Sequence, residues 1–272
     1  MLIASFVLVA ALIWLHYGLQ FALDVAVIIC GFILLPRLFR ILLSYLHIGL
    51  ARSGLQPKRA STAYIRTLFD DYAGRYDRSL FDDLAYTGPS QLYQLADDHG
   101  LISEHAMVVG DLGCGTGACG PLFRSMASEL VGVDLSPKML QKAAERDVYD
   151  RLHQSDLLTF LQRNETNFDL LVAADVFVYL GDLEPVFEAA RQALRGDGWI
   201  AFSVEHQTTG SYRLFKEGRY KHSTDYLRSL AASTGFVVKS QQNGAIRMEG
   251  DLPVEASFWL LERRGEQLLP GA

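Results

Sequence analysis

The stretch Val108-Val109-Gly110-Asp111-Leu112-Gly113-Cys114-Gly115-Thr116-Gly117 constrains this chain more than any other. An apolar run of strand character breaks into a glycine-rich turn with an acid just ahead of it. The next apolar run, Leu130-Val131-Gly132-Val133, ends on Asp134. A strand, a glycine turn, a helix and an acid-tipped second strand make the opening half of a nucleotide-binding α/β unit. Glycines there let backbone approach a ligand, since a Cβ would collide with it. Asp134 follows the turn by about 20 residues, the spacing at which an acid accepts hydrogen bonds from ribose hydroxyls.

Two cofactor classes use this layout. Dinucleotide sites want G-x-G-x-x-G with a helix N-terminus aimed at a pyrophosphate. Here Gly113, Gly115 and Gly117 are spaced G-x-G-x-G, behind Asp111. A carboxylate at Asp111 repels a pyrophosphate and suits an ammonium group, such as that on the methionine end of S-adenosylmethionine. A nicotinamide oxidoreductase is the competing reading of the turn. The D-L-G-C-G-T-G run resembles the motif of class I S-adenosylmethionine-dependent methyltransferases letter for letter. That resemblance implies S-adenosylmethionine as cofactor, with Cys114 inside its binding turn. It also implies a Rossmann-like α/β fold, in which six parallel strands and one antiparallel strand form a sheet covered by helices on both faces.

Further segments narrow the resemblance. Phe69-Asp70-Asp71-Tyr72-Ala73-Gly74-Arg75-Tyr76-Asp77 looks like the helical lid before the first strand of many such enzymes, which puts Tyr76 and Arg75 near the cofactor or substrate. Ala173 through Glu184, Phe202-Ser203-Val204-Glu205, Gly218 through Ser223 and Tyr226-Leu227 together resemble predicted bacterial methyltransferases often fused to tetratricopeptide repeats. The similarity covers about residues 62–264. It stops at the amino terminus, where an apolar segment stands in place of repeats.

From Met1 to Pro36 the single charged residue is Asp24, and Ile3 through Leu23 has none. That run is long enough to cross a bilayer core of about 30 Å as a helix. It lacks the basic start and small-residue cleavage site of a secretory signal peptide. Phe21 to Phe39 is a second apolar stretch, so two arrangements stay open. One is a helical hairpin turning near Tyr17-Gly18-Leu19-Gln20. The other is one transmembrane helix followed by an interfacial helix containing Ile41 to Leu46. Arg37, Arg40, Arg52, Lys58 and Arg59 follow the apolar region, which predicts a catalytic domain on the cytoplasmic side of a bacterial inner membrane. The expected organisation is a membrane anchor over 1–50, a linker over 51–61 and a methyltransferase domain over 62–272.

The net charge is −6 overall. Five basic residues against Asp24 give residues 1–60 a charge of +4, so the rest carries −10. An acidic domain argues against nucleic acid as a partner, while the basic collar suits anionic lipid head groups. Cys30, Cys114 and Cys119 show no metal-ligand spacing, so no metal and no disulfide framework are expected.

Strand-like runs near 106–112, 130–134, 151–155, 168–174, 198–204, 236–242 and 255–262 alternate with helical runs over 116–128, 136–147, 182–195 and 224–234. Ligands in such sheets bind at the strands' carboxyl ends. That brings Asp111, Asp134, Asp156 and Asp175 to one rim. Asp156, with Leu157 beside it, is a candidate for the adenine amino group or a helix cap. Leu135 and Met139 are candidates for the adenine face, and Met139 also reads as core. Asp175 and Tyr179 fall where the activated methyl group belongs.

A nucleophile that must lose a proton needs a base in reach. His222 is one candidate, although Tyr220 to Asp225 also reads as a helix entry capped by Ser223 or Thr224. Glu205, beyond the fifth strand, is another. The residues thus point to a membrane-anchored methyltransferase whose acceptor is a lipophilic small molecule or a membrane protein. The alternative is a non-catalytic accessory subunit, keeping the fold, with a membrane complex as partner.

Overall fold

A computed structural model of the protein describes residues 14, 16–17, 35–53, 56–78, 80, 84–102, 106–163 and 167–265. The chain divides into two units, Met1–Leu46 and His47–Ala272. Most of the span expected over Ile3–Leu23, and most of the apolar stretch from Phe21 to Phe39, lie outside the described residues. Among the described residues no helix is long and apolar enough to cross a membrane. The helix α1 (Leu35–Ser53) contains the segment read as interfacial, with Leu35, Leu38, Phe39, Ile41, Leu42 and Leu46 exposed.

Among the described residues, three more helices follow α1 before the sheet: α2 (Thr62–Tyr72), the one-turn α3 (Tyr76–Arg78) and α4 (Gly88–Asp97). Ser61 caps α2 by accepting from the Tyr64 amide at 3.2 Å. Strands and helices then alternate as the hydrophobic runs require. They are β1 (Met107–Leu112), α5 (Gly120–Phe123), β2 (Ala127–Asp134), α6 (Pro137–Glu145), β3 (Arg151–Gln154) and α7 (Leu157–Arg163). Next come β4 (Phe168–Ala173), α8 (Glu184–Ala193), β5 (Leu194–Gln207), β6 (Tyr212–Leu214) and β7 (Tyr220–Ser223). The described chain closes with α9 (Thr224–Ser233), β8 (Phe236–Glu249) and β9 (Leu252–Arg263).

Strands β3, β2, β1, β4 and β5 pair in that order, all parallel. Strand β9 pairs antiparallel with β5, and β8 antiparallel with β9. Two reversals leave β8 running with β5, so this core has six strands in one direction and β9 reversed. The sheet is therefore mixed, as the resemblance implies. Strands β6 and β7 add a hairpin that the sequence reading missed. Glu205 of β5 pairs with Ala256 of β9 and with Lys221 of β7. Because one strand has two edges, β7 takes the β4 side, beyond the Ala173–Phe202 pair where β4 ends.

Side chains alternate across the parallel strands, and both faces are covered. Leu171 and Ala173 face a core with Phe177, Phe187, Phe202 and Trp259. Leu170 and Val172 face the opposite core with Leu92, Leu95, Phe123 and Phe258. Several boundaries differ from expectation, with β5 and β8 each running well beyond the strands read over 198–204 and 236–242. The helix read over 116–128 shrinks to α5, because Gly117 adopts φ +85° and Gly120 and Pro121 resist regular propagation. Strand β2 starts earlier, at Ala127.

Candidate active site

The glycine turn leaves β1 with Gly113 at φ +66° and Gly115 at φ +55°. These are left-handed conformations that favour glycine. At Gly113 a Cβ would also meet Val176 at 2.7 Å, whereas at Gly115 it would meet only Tyr76 at 3.9 Å. The backbone at Gly115 therefore faces open space, as a cradle for a ligand requires. Asp134 holds this turn from the tip of β2. It accepts from the Gly115 amide at 3.0 Å and from the Ser136 amide at 2.8 Å. Burial raises the Asp134 carboxyl from its ordinary value, and these amides oppose the rise.

A cleft opens along the carboxyl ends of β1 to β4. It is lined at the glycine turn by Gly113 and Gly115, at β2 by Asp134 and Leu135, and after β3 by Asp156 and Leu157. Asp175 and Tyr179 line it after β4, with Tyr76, Phe69 and Ile65 from the helices before the sheet. A smaller cavity shares Tyr76, Gly113 and Gly115 and adds Asp111, Cys114 and Tyr86. Asp111 is buried there and accepts from the Tyr149 hydroxyl at 2.6 Å. Burial pushes its carboxyl up to about 7 against that hydrogen bond. Burial likewise holds the Cys114 thiol well above its ordinary range.

Asp156 takes the helix-cap role offered for it. Its Oδ1 caps α7, accepting from the Leu158 and Thr159 amides at 3.2 and 3.3 Å. Its Oδ2 accepts from Arg59, a residue the sequence reading had assigned to the lipid-facing collar. Lys58 of that collar also pairs with the domain, reaching Asp182 at 2.9 Å. Nothing local in the sequence marks Arg59, because its partner lies 97 positions away.

Asp175 combines a wall position with an unusual backbone. Its φ is +58°, a region uncommon for a non-glycine residue, and its amide donates to Ser203 Oγ at 2.8 Å. Arg247 Nη1 donates to its two carboxyl oxygens at 3.2 and 3.3 Å. Burial still pushes the carboxyl up to about 6, with Arg219 opposing. Tyr179 lies beside it, its hydroxyl pushed up to about 12 by burial, again against Arg219. Phe69 packs edge-on against both Tyr179 and Tyr76, with ring centroids 5.5 and 6.0 Å away.

Gly117, Met139, Glu205 and His222 line neither cavity. Gly117 closes the turn through its amide to the Cys114 carbonyl at 2.8 Å and packs beneath Tyr149. Met139 is fully buried core. Glu205 is buried against Arg247 at 2.6 Å and Arg219 at 3.1 Å, its carboxyl pushed up to about 7 by burial. His222 sits on β7, fully buried, with Nε2 donating to the Gly181 carbonyl at 3.1 Å. Burial lowers it to about 4, so it is neutral near pH 7 and held by the backbone, away from the cleft. Its neighbour Ser223 caps α9, accepting from the Tyr226 amide at 3.2 Å. The helix-entry reading of that segment is the one the geometry matches. Arg219 and Arg247 went unnoticed because only the β7 and β8 pairings bring them to the acids.

The buried acid at the turn, the open backbone at Gly115 and the acids after β2 and β3 fit S-adenosylmethionine. Asp111 lines the smaller cavity, while Asp134 and Asp156 line the main cleft.

Comparison with known proteins agrees. Residues 111–200 match the family model described as a methyltransferase domain. The chain is 28% identical over 172 residues to an uncharacterized protein of Haemophilus influenzae, covering 57% of this chain and 66% of that one. It is 26% identical over 119 residues to the ubiquinone biosynthesis O-methyltransferase of Paraburkholderia phymatum, covering 41% and 51%. Thus it spans between half and two thirds of the length of these relatives. The fold matches that of the N-methyltransferase NodS from Bradyrhizobium japonicum, solved in complex with S-adenosylhomocysteine. There the TM-score is 0.59 at 16% identity, covering 73% of this chain and 98% of that one. These likenesses reach the level of the domain and not the narrower repeat-fused group. With its cleft built on the D-L-G-C-G-T-G turn, the chain has the Rossmann-like fold of S-adenosylmethionine-dependent methyltransferases, and its residues 111–200 match a methyltransferase domain.

Proposed function

We propose that this protein transfers a methyl group from S-adenosylmethionine to an acceptor held against Tyr76, Asp175 and Tyr179. The observation that carries this reading is the convergence of Asp111, the Gly113–Gly115 turn, Asp134 and Asp156 on adjoining cavities. The cofactor supplies a methyl group on a good leaving group, so alignment of the acceptor accounts for much of the rate. The protein's own part is to hold the ligand at the carboxyl ends of β1 to β3 and to exclude water with the aromatic wall. Asp175, partly protonated near pH 6, stands on that wall as a proton acceptor for an acidic nucleophile.

The membrane reading belongs to the same proposal. Along α1, Leu35, Leu38, Phe39, Leu42 and Leu46 recur at helical spacing, each more than half exposed. Arg37, Arg40 and Arg52 share the helix. An apolar stripe with basic residues suits the surface of an anionic bilayer. It supports an inner-membrane protein with its domain on the cytoplasmic side, acting on a lipophilic acceptor or a membrane protein.

Calorimetric titration of the full chain, purified in detergent, with S-adenosylmethionine tests the cofactor reading. Binding in the micromolar range, weakened at least tenfold by Asp134→Ala, supports it. A folded protein that binds nothing would sink it and favour a scaffold subunit. Release of the full chain from membranes by alkaline carbonate would remove the support for anchoring.

A further inference from the structure

We infer that Arg59 is a cofactor-binding residue that closes the adenine end of the cleft together with Asp156, an assignment that rests on the S-adenosylmethionine reading above. Residues 56–60 form a strap fastened to the domain at almost every position. The Gln56 side-chain oxygen accepts from the Leu214 amide at 2.7 Å, and the Pro57 carbonyl accepts from the Tyr220 hydroxyl at 2.9 Å. The Lys58 carbonyl accepts from the Gly181 and Asp182 amides at 2.8 and 2.9 Å, and the Ala60 amide donates to the Tyr179 carbonyl at 3.0 Å. Arg59 is therefore delivered to the cleft between two anchored neighbours, with little backbone freedom left to lose on binding.

Arg59 lines the cleft beside Asp156, Leu135, Leu157 and Ile65. A carboxylate offers about four acceptor positions. At Asp156 the amides of Leu158 and Thr159 and the Arg59 guanidinium take three. One remains, which suits a single exocyclic amino group. Arg59 fixes the carboxylate, and its side chain, about one-third exposed, carries a planar guanidinium whose face suits an aromatic base. Leu135 and Leu157 supply apolar contact. A charged strap residue, an acid locked by a helix cap and two aliphatic side chains thus form a pocket for a flat, amino-bearing ring.

The test uses the full chain in detergent and two ligands, S-adenosylhomocysteine and S-ribosylhomocysteine, which keeps the ribose and amino acid but lacks the base. Arg59→Ala should weaken S-adenosylhomocysteine at least tenfold and leave S-ribosylhomocysteine, measured directly or by competition, within twofold. Arg59→Lys should recover part of the loss, because the charge survives and the planar fork does not. Lys58→Ala, which removes the neighbouring Asp182 pair without touching the cleft, should change neither ligand. An Arg59→Ala protein that binds S-adenosylhomocysteine within twofold of the parent, or loses both ligands equally, overturns the assignment. Failure of the parent chain to bind S-adenosylhomocysteine sinks the cofactor reading itself, and so fails in a distinguishable way.

Discussion

Arg247 Nη2 donates to Glu205 Oε1 at 2.6 Å, with both side chains at least 95% buried. The same guanidinium holds Asp175 and reaches Glu249 at 3.0 Å, so one arginine from β8 gathers acids from the segment after β4, from β5 and from its own strand. Removing it takes the nearest cation from two buried carboxylates, leaving Glu205 to Arg219 at 3.1 Å and Asp175 to Arg219 at 4.0 Å, which costs far more than losing an exposed pair would. Arg247→Met should therefore destabilise the domain by about 3–5 kcal/mol. The loss should be smaller at pH 6 than at pH 8, because these acids can protonate. Denaturant unfolding at the two pH values checks this, and adding Glu205→Gln should recover part of the stability.

Asp111 predicts a pH dependence of cofactor binding. With its carboxyl near 7, only the ionised form attracts an ammonium, so affinity for S-adenosylmethionine should rise between pH 6 and 8. Asp111→Asn should bind weakly with a flattened profile. Calorimetry across that range decides the point. A parent profile flat from 6 to 8 would exclude Asp111 as the titrating group.

The same burial has a consequence for stability, worked out by linkage. Asp111 and Glu205 near 7 and Asp175 near 6 all titrate above their ordinary values, so the folded state binds more protons than the unfolded chain. Their stabilisation is present at low pH and lost as pH rises through these values. His222, lowered to about 4, acts oppositely below pH 6.5. Between pH 6.5 and 8, where the carboxyls dominate, the unliganded domain should lose stability. Thermal unfolding of the unliganded protein, with Tm higher at pH 6.5 than at 8, is the expected result.

His222→Phe separates structure from catalysis. It leaves the Gly181 carbonyl without its donor, at a cost of about 1–3 kcal/mol. Affinity for S-adenosylhomocysteine should stay within twofold, since the residue does not line the cleft. A large loss of affinity in a stably folded variant would return His222 to the site.

Gly113→Ala tests the turn. The substitution places a Cβ at φ +66° and 2.7 Å from Val176. The left-handed backbone alone costs about 1–2 kcal/mol. Adding Val176→Ala should relieve the contact but not the backbone, so stability should recover only in part by denaturant unfolding.

The sequence by itself determined the alternation of strands and helices and the acids at the carboxyl ends of β1 to β4. Those features were legible because each is local: a period of two or 3.6, or a motif a few residues long. Asp111, Gly113, Gly115, Asp134, Asp156 and Asp175 reached adjoining cavities because parallel strands present their ends on one side. Only the tertiary structure decided the rest. Arg59 meets Asp156 across 97 positions, Arg247 meets Asp175 across 72, and the β6–β7 hairpin draws His222 into the core beside β5. A charge or an imidazole takes its role from the partner that burial assigns it, and chain crossovers over such distances leave no periodic trace in the sequence.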